Sequence, residues 1–582
     1  MANPYALPAV LAVTAVTVVI GAYGLRLARS TSDLLVASRT VSPRWNAAAI
    51  GGEYLSAASF LGVAGLVLKE GVDMLWYPVG FAAGYLALLL FVAAPLRRSG
   101  AFTLPDFCEL RLGSTRMRKL SAIFVIFIGW LYLVPQFQGA GLTLQTVTGW
   151  PYYVGSLLVA AVVTGNVALG GMRAITFVQA FQYWLKLTAL AVPIIFLLLH
   201  WQAQGRPQIT PPEGTTFLAT TTVHFDAPAV LTVTAPTTVT VAPSTTPQVL
   251  EPGEHRFGAG SEVTFAAGAP VPHVSGTLDA PGWLRPGTVP GGLFAIYSLI
   301  FATFLGTMGL PHVLVRFYTN PDGAAARRTT LVVLGLVGLF YLFPTLYGVL
   351  GRVYAPALML TGETDAVVLV LPGLALGQGL AGQLLGALVA AGAFAAFLSS
   401  SSGLLTSVAG VFSTDVLGRG SMVDFRRGAL VGGLVPFILS LTVAALDVSI
   451  VVGLAFAVAA SSFCPLLVLG IWWRGLTDLG AMAGILVGGG GAAVAVLLTF
   501  LGYRGEGLLA TLLNYPGAWT VPLAFAVMIA VSLATRRRVP STIGLIMLRL
   551  HTPEPLRPRA LLSEARAPEG RLLGIPPQGR PS

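Results

Sequence analysis

The sequence predicts an all-α polytopic membrane protein of thirteen transmembrane helices with a small external, β-rich insert. Three observations carry this. Hydrophobic residues make up 55% of the chain and charged residues only 10%, against about 25% charged in a soluble domain. Thirteen apolar stretches approach the roughly 20 residues that a bilayer crossing needs. The basic residues between them alternate from side to side.

The stretches run over 5–27, 46–68, 75–96, 120–146, 153–170, 175–199, 291–315, 329–352, 381–412, 429–446, 449–472, 478–501 and 519–536, numbered here as spans one to thirteen. The first is too long for a signal peptide and no small-residue cleavage site follows it, so it is expected to stay. With the N-terminus outside, the inside loops hold 27 basic residues and the outside segments 6. The remaining one, Lys186, lies at the centre of a span. Basic residues favour the cytoplasmic side, so the N-terminus is expected outside and the C-terminus inside. Arginine outnumbers the three lysines heavily, and Ala, Gly, Val and Leu are abundant. That points to a GC-rich bacterial genome and to the bacterial cytoplasmic membrane. The net charge of +11 therefore reads as a topology signal, not as a nucleic-acid surface.

Several classes are excluded. Two cysteines, Cys108 and Cys464, make neither a disulfide scaffold nor a four-cysteine zinc site. Six histidines show no metal spacing. No nucleophile–base constellation supports an enzyme, and no acidic ring or filter repeat supports a channel.

The domain reading follows the spans: a leading helix (5–27), a first set of five helices (46–199), an external insert (200–290), a second set of five (291–472), two trailing helices (478–536) and a Pro- and Arg-rich cytoplasmic tail (539–582). Within the insert, Leu231-Thr232-Val233-Thr234 and Thr238-Val239-Thr240-Val241 alternate at period two, which predicts short strands. A short amphipathic piece near Ile543–Leu550 precedes the tail's disordered end.

Spans two and seven are interrupted. Span two holds Gly51-Gly52-Glu53-Tyr54, then Ser56, Ser59, Gly62 and Gly65; span seven holds Thr303, Gly306, Thr307, Gly309 and Pro311. In lipid, such residues free backbone groups that must find partners in protein or ligand. The clusters stand five spans apart, the pattern of an inverted-repeat transporter with broken helices at the midplane. Span nine carries Ala396 and the run Ser399-Ser400-Ser401-Ser402, whose hydroxyls suit a hard cation. Glu53 and Lys186 are intramembrane charges and so functional candidates.

At Gly51 to Gly62, at Gly306-Thr307-Met308-Gly309-Leu310-Pro311-His312 with Arg316-Phe317, at Gly170-Gly171-Met172, at Leu75-Trp76-Tyr77 with Gly80-Phe81, and at Ala101-Phe102-Thr103-Leu104-Pro105-Asp106, the chain resembles the sodium:solute symporter family, within it the cation/acetate branch. The resemblance covers about residues 30–550 and leaves out the insert. It implies a five-plus-five inverted-repeat core, spans two to six and seven to eleven. It implies a Na⁺ site at Gly51 and Tyr54, through backbone carbonyls, with Ala396, Ser399 and Ser400. Two positions depart from the family. Glu53 stands where many members have Asp, and Val178-Gln179 where many have Thr-Asp; the acetate branch also lacks that Asp. Lys186 lies two turns beyond Gln179, and an ammonium there can substitute for a bound cation, so H⁺ coupling stays beside Na⁺.

The reading is cation-coupled symport of acetate or a related short-chain monocarboxylate by alternating access. The partners are a small organic anion, Na⁺ and the bilayer, with a small membrane subunit allowed for. Helix N-termini at the two breaks offer an anion partial positive charge. Ser56, Thr307 and Glu53 line the breaks. Gln136 and Gln138 on span four are candidate donors, of which at most one faces inward because residues two apart do not share a helix face. Phe60 and Trp76 are candidate apolar walls. Lys186, Gln179 and His312 are candidate coupling or gating residues. The alternatives are a same-fold symporter of proline or pantothenate, and a non-transporting solute sensor.

Overall fold

The computed structural model of the chain describes residues 3–25, 42–210, 215–225, 228–244, 246–274, 280–418, 421–443, 446–501, 503 and 507–556, without the side chains of 23–25, 170–174, 280–281 and 555. The basic stretch 26–41 and the tail beyond 556 lie outside the described residues.

Among the described residues, ten helices are long and apolar enough to cross a membrane, fewer than the thirteen expected. Span one forms the helix Ala6–Leu25, whose apolar part Ala6–Ala22 is short. Span two is two helices. It breaks after Pro43–Tyr54, and its second half continues through a 3-10 turn, Gly71–Leu75, into span three as the helical stretch Ala58–Ser99. Span ten is Met422–Ser440, with Asp424, Arg426 and Arg427 crowded into its start. Spans five and six are helical from Tyr152 to Ala203, with apolar windows Tyr152–Leu169 and Ile175–Ala203 on either side of Gly170-Gly171.

The two breaks have clear backbone signatures. Leu55 ends the first half of span two at φ −75°, ψ 88°. Leu310 ends Gly306–Gly309 at φ −72°, ψ 115°, and Pro311 opens Pro311–Tyr318. Proline suits that position, since its missing N–H is an orphan at a helix start anyway.

Small residues let the broken helices sit close to their neighbours. A Cβ on Gly52 would lie 2.2 Å from the Gln179 carbonyl oxygen, and one on Gly309 would lie 2.3 Å from that of Ala459. Span nine, Leu380–Val411, is buried continuously from Val389 to Val411. It packs against Tyr152–Ala203, against Thr115–Thr148 and against Ala6–Leu25. It is therefore the inner post of the bundle, and its serines face protein rather than lipid.

The insert is a folded body. Among its described residues, seven strands, β1 (Thr221–Phe225), β2 (Ala229–Val233), β3 (Thr237–Val241), β4 (Gln248–Leu250), β5 (Gly253–Phe257), β6 (Ser261–Phe265) and β7 (His273–Val274), form two antiparallel sheets. Their orders are β1-β6-β3-β4 and β5-β2-β7. Period-two alternation turns Val223, Phe225, Leu231, Val233, Val263 and Phe265 into a shared core. Leu360 and Ala357, from the segment after span eight, join that core and tie the insert to the helices.

The chain then returns through Ala280–Leu284. Trp283 Nε1 donates to the carbonyls of Val67 (2.8 Å) and Leu68 (3.1 Å), at the end of span two's second half. Gly71 has φ +75°, and a Cβ there would meet the Trp283 carbonyl oxygen at 2.0 Å; only glycine suits both demands. At the opposite end of the chain, Ile543–His551 packs against the helix Ala93–Ser99, with Arg98 donating to the His551 carbonyl at 3.3 Å.

Candidate solute and cation site

The break in span two frees carbonyls at its first half and N–H groups at its second. Each set finds a partner. Lys186 Nζ donates to the Gly52 carbonyl (2.6 Å), the Leu55 carbonyl (2.6 Å) and Ser399 Oγ (3.0 Å). Ser399 Oγ also lies 2.6 Å from the Gly52 carbonyl and 3.0 Å from that of Ala396. Ser400 Oγ donates to the Glu53 carbonyl. On the far side of the break, Gln136 Oε1 accepts from Ala57 N–H at 2.9 Å. Lysine and serines thus cap one half-helix and a glutamine caps the other, as lipid-buried backbone requires.

The residues expected to hold the ion therefore lie close together. The Gly51 carbonyl accepts from Leu55 N–H within its own helix turn; the Gly52 and Glu53 carbonyls accept from the serines of span nine, and that of Leu55 from Lys186 on span six. Tyr54 contributes its side chain, a phenol 2.7 Å from Thr307 Oγ1. Ala396, Ser399 and Ser400 face the break from span nine, and Lys186 stands among these oxygens.

The Glu53 carboxylate is held through one oxygen by Arg316. Arg316 Nε donates to Glu53 Oε2 at 2.5 Å, with 0% and 2% side-chain exposure for the two residues. Arg316 also donates to Thr176 Oγ1 at 2.9 Å and to Gln179 Oε1. Gln179 Nε2 in turn donates to the Ser399 carbonyl at 2.8 Å. A Cβ on Gly403 would overlap the Glu53 carboxyl at 2.0 Å, so this glycine makes the room the carboxylate needs. Gln179 occupies the departure from the family pattern and acts as a neutral link between Arg316 and span nine.

Between the two breaks lies a set of hydroxyls and rings. Tyr132 O–H donates to Ser56 Oγ at 3.2 Å, and Ser59 Oγ pairs with Tyr341 O–H at 2.8 Å. Tyr54 packs edge-on to Tyr85 at 4.6 Å between centroids, and Phe456 touches Tyr54, Phe81 and Tyr132. Tyr85 O–H and both ring nitrogens of His312 are buried without a hydrogen-bond partner among the described residues. His312 stands in the first turn after the second break, edge-on to Tyr132 at 5.2 Å. Behind it a narrow cleft is lined by Val125, Gly129, Pro311, Leu404, Ser407 and Val408.

Other candidates lie elsewhere. Gln138 donates to the carbonyls of Val443 and Leu446, off the breaks. Trp76 is 41% exposed, beyond the 3-10 turn. Phe60 is buried against Phe340. Thr176, Tyr85 and Tyr341 carry no sequence signal that places them in the site; Arg316 carries one, as the charge that closes the Gly-Leu-Pro-His stretch.

The Sodium:solute symporter family profile matches residues 34–208 and 292–488, and its gap coincides with the insert. The chain is 30% identical over 535 residues to a monocarboxylic acid transporter of Corynebacterium glutamicum, covering 86% of each. It is 27% identical over 533 residues to an uncharacterized symporter of Bacillus subtilis strain 168, covering 88% of this chain and 91% of that one. Among solved structures, a substrate-bound, outward-open Na⁺-coupled sialic acid symporter superposes with a TM-score of 0.61 at 14% identity, over 92% of this chain and 97% of that one. That likeness is one of fold.

Proposed function

Since the chain belongs to the sodium:solute symporter family, we propose that it carries acetate or a related short-chain monocarboxylate across the membrane together with a cation, by alternating access. The observation that carries this is the meeting of two helix breaks, at Leu55 and Leu310, around a small set of donors. Tyr85 O–H and His312 are buried there, unpartnered among the described residues, and the uncapped start of Pro311–Tyr318 adds partial positive charge. An anion with two oxygens satisfies such a set. The surrounding rings of Tyr54, Phe81, Tyr132 and Phe456 crowd the space and favour a solute of few atoms. The name of the Corynebacterium relative supports the same class.

The cation belongs between span two and span nine, at Gly52, Leu55, Ser399 and Ser400. Na⁺ is the ion that the family's name supplies. A cation that binds one state of the breaks better than the other biases the equilibrium between outward and inward openings. The solute, held against the same breaks, shares that bias, and the two affinities become linked.

The test is counterflow in proteoliposomes. Vesicles loaded with unlabelled pyruvate are expected to exchange ¹⁴C-pyruvate, with acetate and propionate competing and proline without effect. Competition by proline or pantothenate, with none from short carboxylates, would keep the fold and discard the solute.

A further inference from the structure

The helix that follows span thirteen carries apolar side chains on both of its faces. Span thirteen ends at Ala534, and residues 535–542 lead into Ile543–His551. Met547 and Leu550, on one face, are buried, and the helix packs on Ala93–Ser99, the end of span three. Leu545 and Leu548 stand on the other face and are 46% and 42% exposed. A helix at a water surface carries polar residues on its outer face, and one that is apolar all round is covered all round. Among the described residues only the first face is covered.

The helix is fastened so that its outer leucines stay outward. His551 lies edge-on to Trp472, with 4.9 Å between ring centroids. Glu554, just beyond the helix, accepts from Gly323 N–H at 2.8 Å and pairs with Arg98 at 3.5 Å. The outer face therefore sits at the level where spans three and thirteen end and span eight begins, which is the membrane surface.

The free charges at that level have one sign. Arg536 and Arg537 follow span thirteen directly, and Arg327 and Arg328 lie one turn beyond Gly323; all four are exposed. None of these four guanidinium groups has a hydrogen-bond or ion-pair partner among the described residues. The carboxylates around them are engaged: Asp478 with Arg538, Asp322 with Ala325 N–H, and Glu554 as above. Guanidinium groups pair well with phosphate oxygens, and an apolar helix face flanked by arginine suits the boundary between headgroups and acyl chains.

We propose that the outer face of Ile543–His551 docks on a leaflet of anionic phospholipid. Leu545 and Leu548 enter the acyl boundary, and the four arginines take the headgroup phosphates. Span thirteen delivers this face to the edge of the bilayer, so its occupant is lipid and not a second copy of the chain.

The experiment uses the full chain in nanodiscs, either of phosphatidylcholine alone or of an equimolar mixture with phosphatidylglycerol. The native Cys108 and Cys464 are buried, and a side chain at Gly544 meets open space. A polarity-sensitive dye on Gly544→Cys thus reports the outer arc of this helix. Its emission is expected to shift to the blue in the anionic discs. Arg536→Gln with Arg537→Gln is expected to abolish that shift, and lysine at both positions, which keeps the charge, to retain it. Equal emission in the two kinds of disc would overturn the proposal. So would a shift that survives glutamine, or one lost with lysine as well. Inorganic phosphate added to the neutral discs is expected to do nothing; a shift there would make the ligand a free anion instead of a lipid. A chain ending at Leu556 is expected to respond as the full chain does, and loss of the response would assign the face to the tail.

Discussion

Arg316 illustrates how a residue's sequence position and its physical role diverge. It sits near the end of span seven, where basic residues usually anchor a helix to the cytoplasmic face, yet it is fully buried against Glu53. Removing one partner of a buried ion pair costs about 3–5 kcal/mol, because the other charge is left uncompensated. Glu53→Gln is therefore expected to destabilise the protein by that order, seen as an earlier thermal transition in detergent. Lys69→Gln, at a half-exposed pair with Asp447, is expected to cost about 1 kcal/mol or less. Equal shifts for the two variants would remove Glu53 from the core of the fold. Lys186 and Glu53 were both legible as charges inside apolar spans. Their partners were not, because Arg316 and Thr176 lie far away in sequence and nothing local marks the pairing. Gln138 and Trp76 lie off the breaks for a related reason: composition does not say which face of a helix meets them.

At the level of elements, the interruptions were readable because glycine and proline within a lipid-buried helix free backbone groups that only protein or ligand can satisfy. The strands of the insert were readable from alternation alone, and β2 and β3 lie on the two stretches that carry it. The docking of Trp283 onto the end of span two was not readable, since it joins residues 215 or more apart. It separates the roles of the insert and of its return segment. Excising 216–272 is expected to leave uptake within about twofold, whereas Trp283→Ala exposes the Val67 and Leu68 carbonyls and is expected to slow it several-fold, each lost buried bond costing about 1–3 kcal/mol. Initial rates in proteoliposomes, normalised to inserted protein, distinguish the two.

The same junction carries a pH dependence. Asp365, outside the spans, is buried and accepts from Val448 N–H at 2.8 Å. Burial first, then the Asp447 charge, pushes its carboxyl up to about 7 from 3.8. A raised carboxyl means the folded state holds a proton that the unfolded state has given up. Stability is then full below the unfolded value and declines as pH rises toward the folded one. Asp365→Asn is expected to flatten that decline between about pH 4 and 7; a thermal-stability series that keeps its slope would show the carboxyl to be irrelevant.

For the whole molecule, the span count and the sidedness of the arginines rest on different physics. Apolar length counts helices, and it misses those that break or start with charge, as Pro43–Tyr54 and Met422–Ser440 do. The charge alternation is indifferent to breaks and so can pair segments that length alone leaves out. It also predicts an orientation: a fluorescent protein fused at the C-terminus is expected to light up, and alkaline phosphatase placed near residue 245 to be active. The reverse pattern would invert the topology and the direction assigned to coupling.

The two-sheet body between spans six and seven has a practical consequence. Most of a small membrane transporter disappears into its detergent belt and offers an imaging experiment little to align on. Here a water-exposed unit with its own core is fastened to the helices through Leu360 and Ala357, away from the breaks. A nanobody raised against that unit would act as a fiducial mark, allowing the working cycle to be photographed without a hand on the machinery.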